Sequence, residues 1–195
     1  MNADKKIVTT MFRAPIRPGI ELRLLEERHA MAAFALMDRD RDYLREWLAF
    51  VDKTRTEEDW RKFVRASLEQ FAATEGFTAG IWEGDRFVGV IGTKKIDWLN
   101  GKGELGYWIG RADQGRGIVT DACRAVLDYL FRELRLNRVE IHCATGNSRS
   151  AAIARRLGFT LEGTRREAEL VNGKFYDLWL FSMLKKEWNA VNAGR

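Results

Sequence analysis

Residues 114–120 read Gln-Gly-Arg-Gly-Ile-Val-Thr and lie between a strand-like run and a helix-like run. Two glycines let a backbone approach a ligand closely. The amides that open the following helix point outward at its positive end, which makes an anion site. Three phosphate-gripping loops compete for this pattern. A Walker A loop needs GxxxxGK followed by Ser or Thr, which the chain lacks. A dinucleotide fingerprint needs GxGxxG; Gly115 and Gly117 supply the first pair, but Thr120 holds the third position. The third is the short loop that grips the pyrophosphate of coenzyme A. Arg116 within the loop is the first candidate for the phosphates. Arg155 and Arg156 are further ones, although adjacent arginines on a helix are also at home in solvent.

Other residues with chemistry surround this loop. Glu104 and Glu169 stand on strand-like runs. A strand glutamate is most often solvated and paired with arginine. Asn147 precedes a helix that it would cap, and Ser150 lies in that helix's first turn. His142 sits mid-strand among alternating polar neighbours and is given no catalytic role; Cys143 beside it should face the other side and be buried. Two cysteines and two histidines at these spacings match no zinc pattern, so no metal is expected.

The elements that must position these residues follow from periodicity. Residues 20–25 read as a strand, and 26–52 as two short helices broken near 38–42. Thr56, followed by three acids, opens a helix that runs to Ala73. Strands are expected at 77–83 and 86–96 about a Gly84–Asp85 turn, then at 104–110. A helix over 120–134, a strand over 138–145 and a short helix over 148–157 come next. A last hairpin, 159–171 and 174–184, turns at Asn172–Gly173. The strand–helix–strand unit at 104–145 requires a parallel pair. The class is mixed α and β around one largely antiparallel sheet.

The chain's 195 residues, 46% hydrophobic and 31% charged, describe an ordinary globular protein. We read an irregular lead-in over 1–19, a single domain over 20–188 and a tail over 189–195. There is no apolar run long enough to span a membrane and no apolar leader, so a cytoplasmic protein is expected. A formal charge of +5 is mild and does not demand nucleic acid.

The loop, GELGYWIG before it, and Asn147-Ser148-Arg149-Ser150 with Leu157-Gly158-Phe159 after it resemble the GNAT acyltransferases. The ending TLEGTRREAELVNGKFYDLWLFSML is similar to one subgroup, the Rim-type N-acetyltransferases of ribosomal proteins. The resemblance is strong over 104–184 and loose over 20–103. It implies the GNAT fold, with 104–110 and 138–145 as a splayed parallel pair, acetyl-CoA as co-substrate, and an amine acceptor, foremost a protein N-terminus. A small-molecule amine is the alternative acceptor, and a non-catalytic coenzyme A binder the alternative from another class. A homodimer is common in the group.

The resemblance also distributes roles. Gln114, Gly115, Arg116, Gly117, Ile118, Val119 and Thr120 would hold the cofactor's phosphates, with Val119 where the family favours Gly or Ala. Amides near Trp108 and Ile109 would serve the oxyanion. Asn147 would reach the pantetheine. Many members protonate the departing thiolate with a tyrosine, but Ala154 stands at that position; the subgroup uses a serine, matched by Ser150. Glu169 would be the base and Glu104 the alternative. The acceptor pocket should use 38–56 and 165–178, with Phe50 or Trp98 as a candidate wall.

Overall fold

A computed structural model describes residues 13–192. Eight strands form one sheet: β1 (Arg13–Arg17), β2 (Ile20–Leu24), β3 (Thr78–Glu83), β4 (Arg86–Thr93), β5 (Lys102–Ile109), β6 (Arg138–Ala144), β7 (Thr160–Val171) and β8 (Lys174–Leu184). The helices are α1 (Ala30–Arg39), α2 (Arg41–Leu44), α3 (Glu57–Ala72), α4 (Ile118–Asp128), α5 (Ser148–Arg156) and α6 (Lys185–Asn192). The strand order is β1-β2-β3-β4-β5-β6-β8-β7. All neighbours are antiparallel except β5 and β6.

Two corrections concern the ends. Arg13–Arg17, within the stretch read as an irregular lead-in, is the edge strand β1. Its two neighbouring prolines hid it, yet an edge strand tolerates Pro15 because one side of its backbone needs no partner. The stretch read as a tail is helical as far as Asn192. Residues 1–12 of the lead-in and 193–195 of the tail lie outside the described residues. The helix break expected near 38–42 falls at Asp40, between α1 and α2.

Alternation along the strands builds two cores. On one face Leu105 and Ile109 of β5 and Ile141 of β6 pack against α4 and α5. On the other Trp82, Val90 and Trp108 pack against α1 and α3. The opening of α3 is the expected one: Thr56 caps it, and Thr56 and Asp59 form a reciprocal capping box.

One local feature creates the site. β5 and β6 share only three paired positions, the last being Glu104↔Glu140, and then part. A parallel pair that separates leaves a gap with unpaired backbone groups facing it. Among the described residues no helix is long and apolar enough to cross a membrane.

Candidate active site

The loop after β5 is shaped by its glycines. Gly115 and Gly117 have φ of +72° and +76°, left-handed conformations that disfavour a side chain. Gly117 stands immediately before α4, so the first amides of that helix face a cavity of about 550 Å³. Three acids fix the loop from behind. The Asp40 carboxylate accepts from the Arg111 N–H at 2.7 Å. Asp113, with a side chain 2% exposed, ion-pairs with Arg86 at 2.7 Å and Arg116 at 2.8 Å. Hydrogen bonds from Arg86 hold the Asp113 carboxyl below its ordinary range although burial opposes them. From β1, Arg17 reaches the Arg116 carbonyl at 3.1 Å and the Asp121 carboxylate at 2.9 Å.

The Arg116 side chain turns away from the cavity. Its guanidinium is taken by Asp113 and Glu83, and it does not line the cavity. The cations that do are Arg124, Arg149 and Arg156. Sequence reading missed the first two. A signal existed for one: Arg149 and Arg156 are seven apart, two helical turns on one face of α5. Arg155 instead lies over the rings of Trp179 and Phe181 at 5.3 and 5.6 Å. The other predicted loop residues, Gln114, Gly115, Gly117, Ile118, Val119 and Thr120, all line the cavity.

The floor comes from β5. Hydrogen bonding with β4 alternates along the strand: the Gly110 N–H donates to the Val88 carbonyl at 2.9 Å, and the Lys94 N–H to the Glu104 carbonyl at 2.8 Å. Even-numbered residues of β5 thus point their backbone at β4, which engages Trp108. The amides of Tyr107 and Ile109 face the gap instead. Of the two expected oxyanion donors, Ile109 keeps that orientation and Tyr107 takes the place of Trp108.

Across the gap, α5 presents Ser150. Its Oγ lies 3.1 Å from the Tyr107 phenol oxygen. Burial pushes the Tyr107 hydroxyl upward from its ordinary value, so it remains a neutral donor. Asn147 accepts from the Ser150 N–H at 3.0 Å, the cap expected of it, while also lining the cavity. Ala154 is wholly buried in the core. Cys143 is buried, and burial raises its thiol against a hydrogen bond with Ser150. No cluster of His, Cys, Asp and Glu among the described residues could hold a metal ion.

At the far wall, Tyr43 and Trp47 line the cavity. The Trp47 ring meets Tyr176 edge-on, with centroids 6.0 Å apart. Neither Phe50 nor Trp98 contributes. Phe50 packs against Trp60, and the Trp98 indole donates to the Thr74 carbonyl. The two carboxylates differ. Glu169, half-buried, is paired across the hairpin with Tyr176 and makes no ion pair among the described residues. Glu104 is engaged by Lys94 at 2.5 Å and lies 3.4 Å from His142. The other nitrogen of His142 lies 3.0 Å from Glu140. His142 thus bridges the two glutamates of the last paired rung, which would otherwise repel directly across the strands.

A pocket with helix-start amides and left-handed glycines, and with Arg124 and Arg156 beside them, suits a pyrophosphate, and a gap with free strand amides suits a thioester next to it. An acetyltransferase (GNAT) domain matches residues 20–160. The chain belongs to the GNAT acetyltransferase family, and it is an acetyl-CoA-dependent N-acetyltransferase. It is 37% identical over 179 residues to YdaF of Bacillus subtilis (strain 168), provisionally named as a ribosomal N-acetyltransferase, covering 91% of this chain and 98% of that one. It is 30% identical to the ribosomal-protein-serine acetyltransferase of Escherichia coli (strain K12), over 87% of this chain and 94% of that one. Its fold superposes on RimL, a ribosomal alpha-N-protein acetyltransferase solved in complex with coenzyme A. The TM-score is 0.86 at 27% identity, over 90% of this chain and 99% of that one.

Proposed function

We propose that the acceptor is the N-terminal α-amine of a protein, with ribosomal proteins as the substrate class. The observation that carries this is the open acceptor side. β7, the edge strand of the sheet, is exposed from Thr160 to Ala168 and can receive an extended chain, and its partner residue Tyr176 packs on Trp47 of the cavity wall. The relatives' names point the same way. So does the chemistry: an α-amine of pKa about 7.7–8.0 is roughly 10–20% neutral at pH 7, whereas a lysine of about 10.4 is neutral well below 0.1% of the time.

Acetyl-CoA supplies an acyl group already activated as a thioester, so the protein mainly positions. The loop amides of Ile118, Val119 and Thr120 hold phosphate oxygens, aided by Arg124 and Arg156. The amides of Tyr107 and Ile109 stabilise negative charge on the attacked carbonyl oxygen. Ser150, with the Tyr107 phenol behind it, donates a hydrogen bond to the departing thiolate. Glu169 takes the proton that the ammonium must lose. Glu104 is the second reading for that step, favoured by its place on the rung where β5 and β6 part. Its carboxylate is already engaged by Lys94 and lies beside His142, whereas Glu169 makes no ion pair among the described residues.

In the same reading the enzyme acts in the cytoplasm as a homodimer. Leu161, Leu170 and Phe175, exposed on the last hairpin, support pairing there, and sedimentation analysis tests it. Thiol release from acetyl-CoA with peptides bearing ribosomal-protein N-termini, followed by mass spectrometry of the modified end, tests the acceptor. Turnover with small-molecule amines and none with any peptide overturns it. Ser150→Ala should lower kcat at an unchanged KM for acetyl-CoA.

A further inference from the structure

β7 departs from a regular strand just before Glu169. The ladder runs to Arg165↔Leu178 and resumes at Glu169↔Tyr176, so Arg166, Glu167 and Ala168 stand opposite Asp177 alone. An uninterrupted ladder from Arg165 would bring Glu167, not Glu169, to Tyr176. Within the bulge Glu167 takes φ of +47°, a left-handed conformation unfavourable for a residue with a side chain. Residues 165–168 are exposed, so no core packing calls for this distortion. Bulges of this kind re-aim side chains and gather near active sites, and strain persists only where neighbours enforce it.

Asp177 supplies that enforcement. Its Oδ1 accepts from the Glu167 N–H at 2.8 Å. Its own carbonyl accepts from the Thr145 N–H at 3.0 Å, which ties it to the end of β6 beside the gap. On the other side of Glu169, the hairpin tip is fixed as well: the Asn172 side chain donates to the Arg45 carbonyl at 2.5 Å. Between these two ties, Tyr176 packs on Trp47, the cavity wall.

We propose that Asp177 is a positioning residue for acetyl transfer: it holds the β7 bulge that sets the Glu169 carboxylate beside the Trp47 wall. This rests on the reading of Glu169 as the proton acceptor. The role requires an acceptor oxygen at position 177, not a negative charge.

Steady-state kinetics of the full chain with acetyl-CoA and a synthetic peptide bearing a free N-terminal serine test it. Asp177→Ala should lower kcat about tenfold or more at an unchanged KM for acetyl-CoA. Asp177→Asn, which keeps the acceptor oxygen, should restore most of the rate. In a Glu169→Gln background, Asp177→Ala should cause no further loss. If Asp177→Ala does not fold, Asp177→Val, which also lacks an acceptor, serves the same comparisons. A full rate in the alanine variant overturns the proposal. So does an asparagine variant as slow as alanine, or an equal loss with and without Glu169. Full activity of Glu169→Gln alone removes the Glu169 reading and this inference with it; a slow Glu169→Gln beside a normal Asp177→Ala removes only the inference.

Discussion

The two ends of the cavity are built differently. At the phosphate end, one short segment, Gln114 to Thr120, lines the cavity with every residue but Arg116 and turns through two left-handed glycines. The side chains there mostly support the loop from behind: Asp113, Arg86 and Arg116 form ion pairs rather than a ligand shell. At the acceptor end, no single segment makes the wall. Trp47, after α2, lines it; Tyr176 of β8 packs on Trp47 from outside the lining, and Glu169 of β7 pairs with Tyr176. The first end recognises a constant group, a pyrophosphate, which backbone geometry can hold. The second must suit a particular amine, and side chains drawn from distant segments can change without disturbing the loop.

The largest test of this division is Glu169→Gln. It should lower kcat by about 10²-fold or more, the usual contribution of a positioned proton acceptor. Acetyl-CoA affinity by calorimetry should stay unchanged. If affinity falls in step with kcat, the two ends are coupled and the division fails. The reciprocal test is Gly117→Val. Left-handed geometry disfavours a side chain by about 1–2 kcal/mol, so the KM for acetyl-CoA should rise about tenfold while kcat at saturation changes little.

The same division explains what the sequence discloses. The loop, the helix after it and the Asn147 cap are local: each depends on residues within a few positions, and each was legible. The final hairpin was legible through Asn172–Gly173. What escaped was non-local. β1 is only five residues long and carries Pro15, yet its Arg17 ties down the loop. Tyr107 reads as one more strand aromatic until α5 brings Ser150 against it. Phe50 and Trp98 looked like pocket, yet Trp47 lines it; their roles depend on which segments fold back over them. His142 carried no local sign that two glutamates flank it, since Glu104 reaches it from another strand.

A smaller effect separates the loop's support from its chemistry. Asp113→Asn should destabilise the fold by about 1–2 kcal/mol through loss of charge-assisted hydrogen bonds, lowering Tm by about 2–4 °C per kcal/mol for a chain of this size. The pH dependence has a fixed sign. Arg86 depresses the folded-state carboxyl, so its contribution is complete above the unfolded value of about 3.9 and is lost as pH falls through the lower folded value. The stability gap between wild type and variant should be flat near neutrality and close only below about pH 4. A gap that narrows near pH 6 would assign the effect to another group.

The smallest effect is the most selective. Asn147 and Thr56 both cap helices, each accepting an amide hydrogen bond with its side chain. Replacing either by Ala should remove about 1 kcal/mol of stability, seen as similar shifts in Tm. Thr56 opens α3 and does not line the cavity, whereas Asn147 does. Its carbonyl oxygen is occupied by the cap, and the amide nitrogen can donate to a bound group. Asn147→Ala should therefore raise the KM for acetyl-CoA a fewfold, and Thr56→Ala should leave it unchanged. Equal kinetics in the two variants would reduce Asn147 to a cap and leave the pantetheine to be held by backbone alone, extending the backbone character of the phosphate end further along the cofactor.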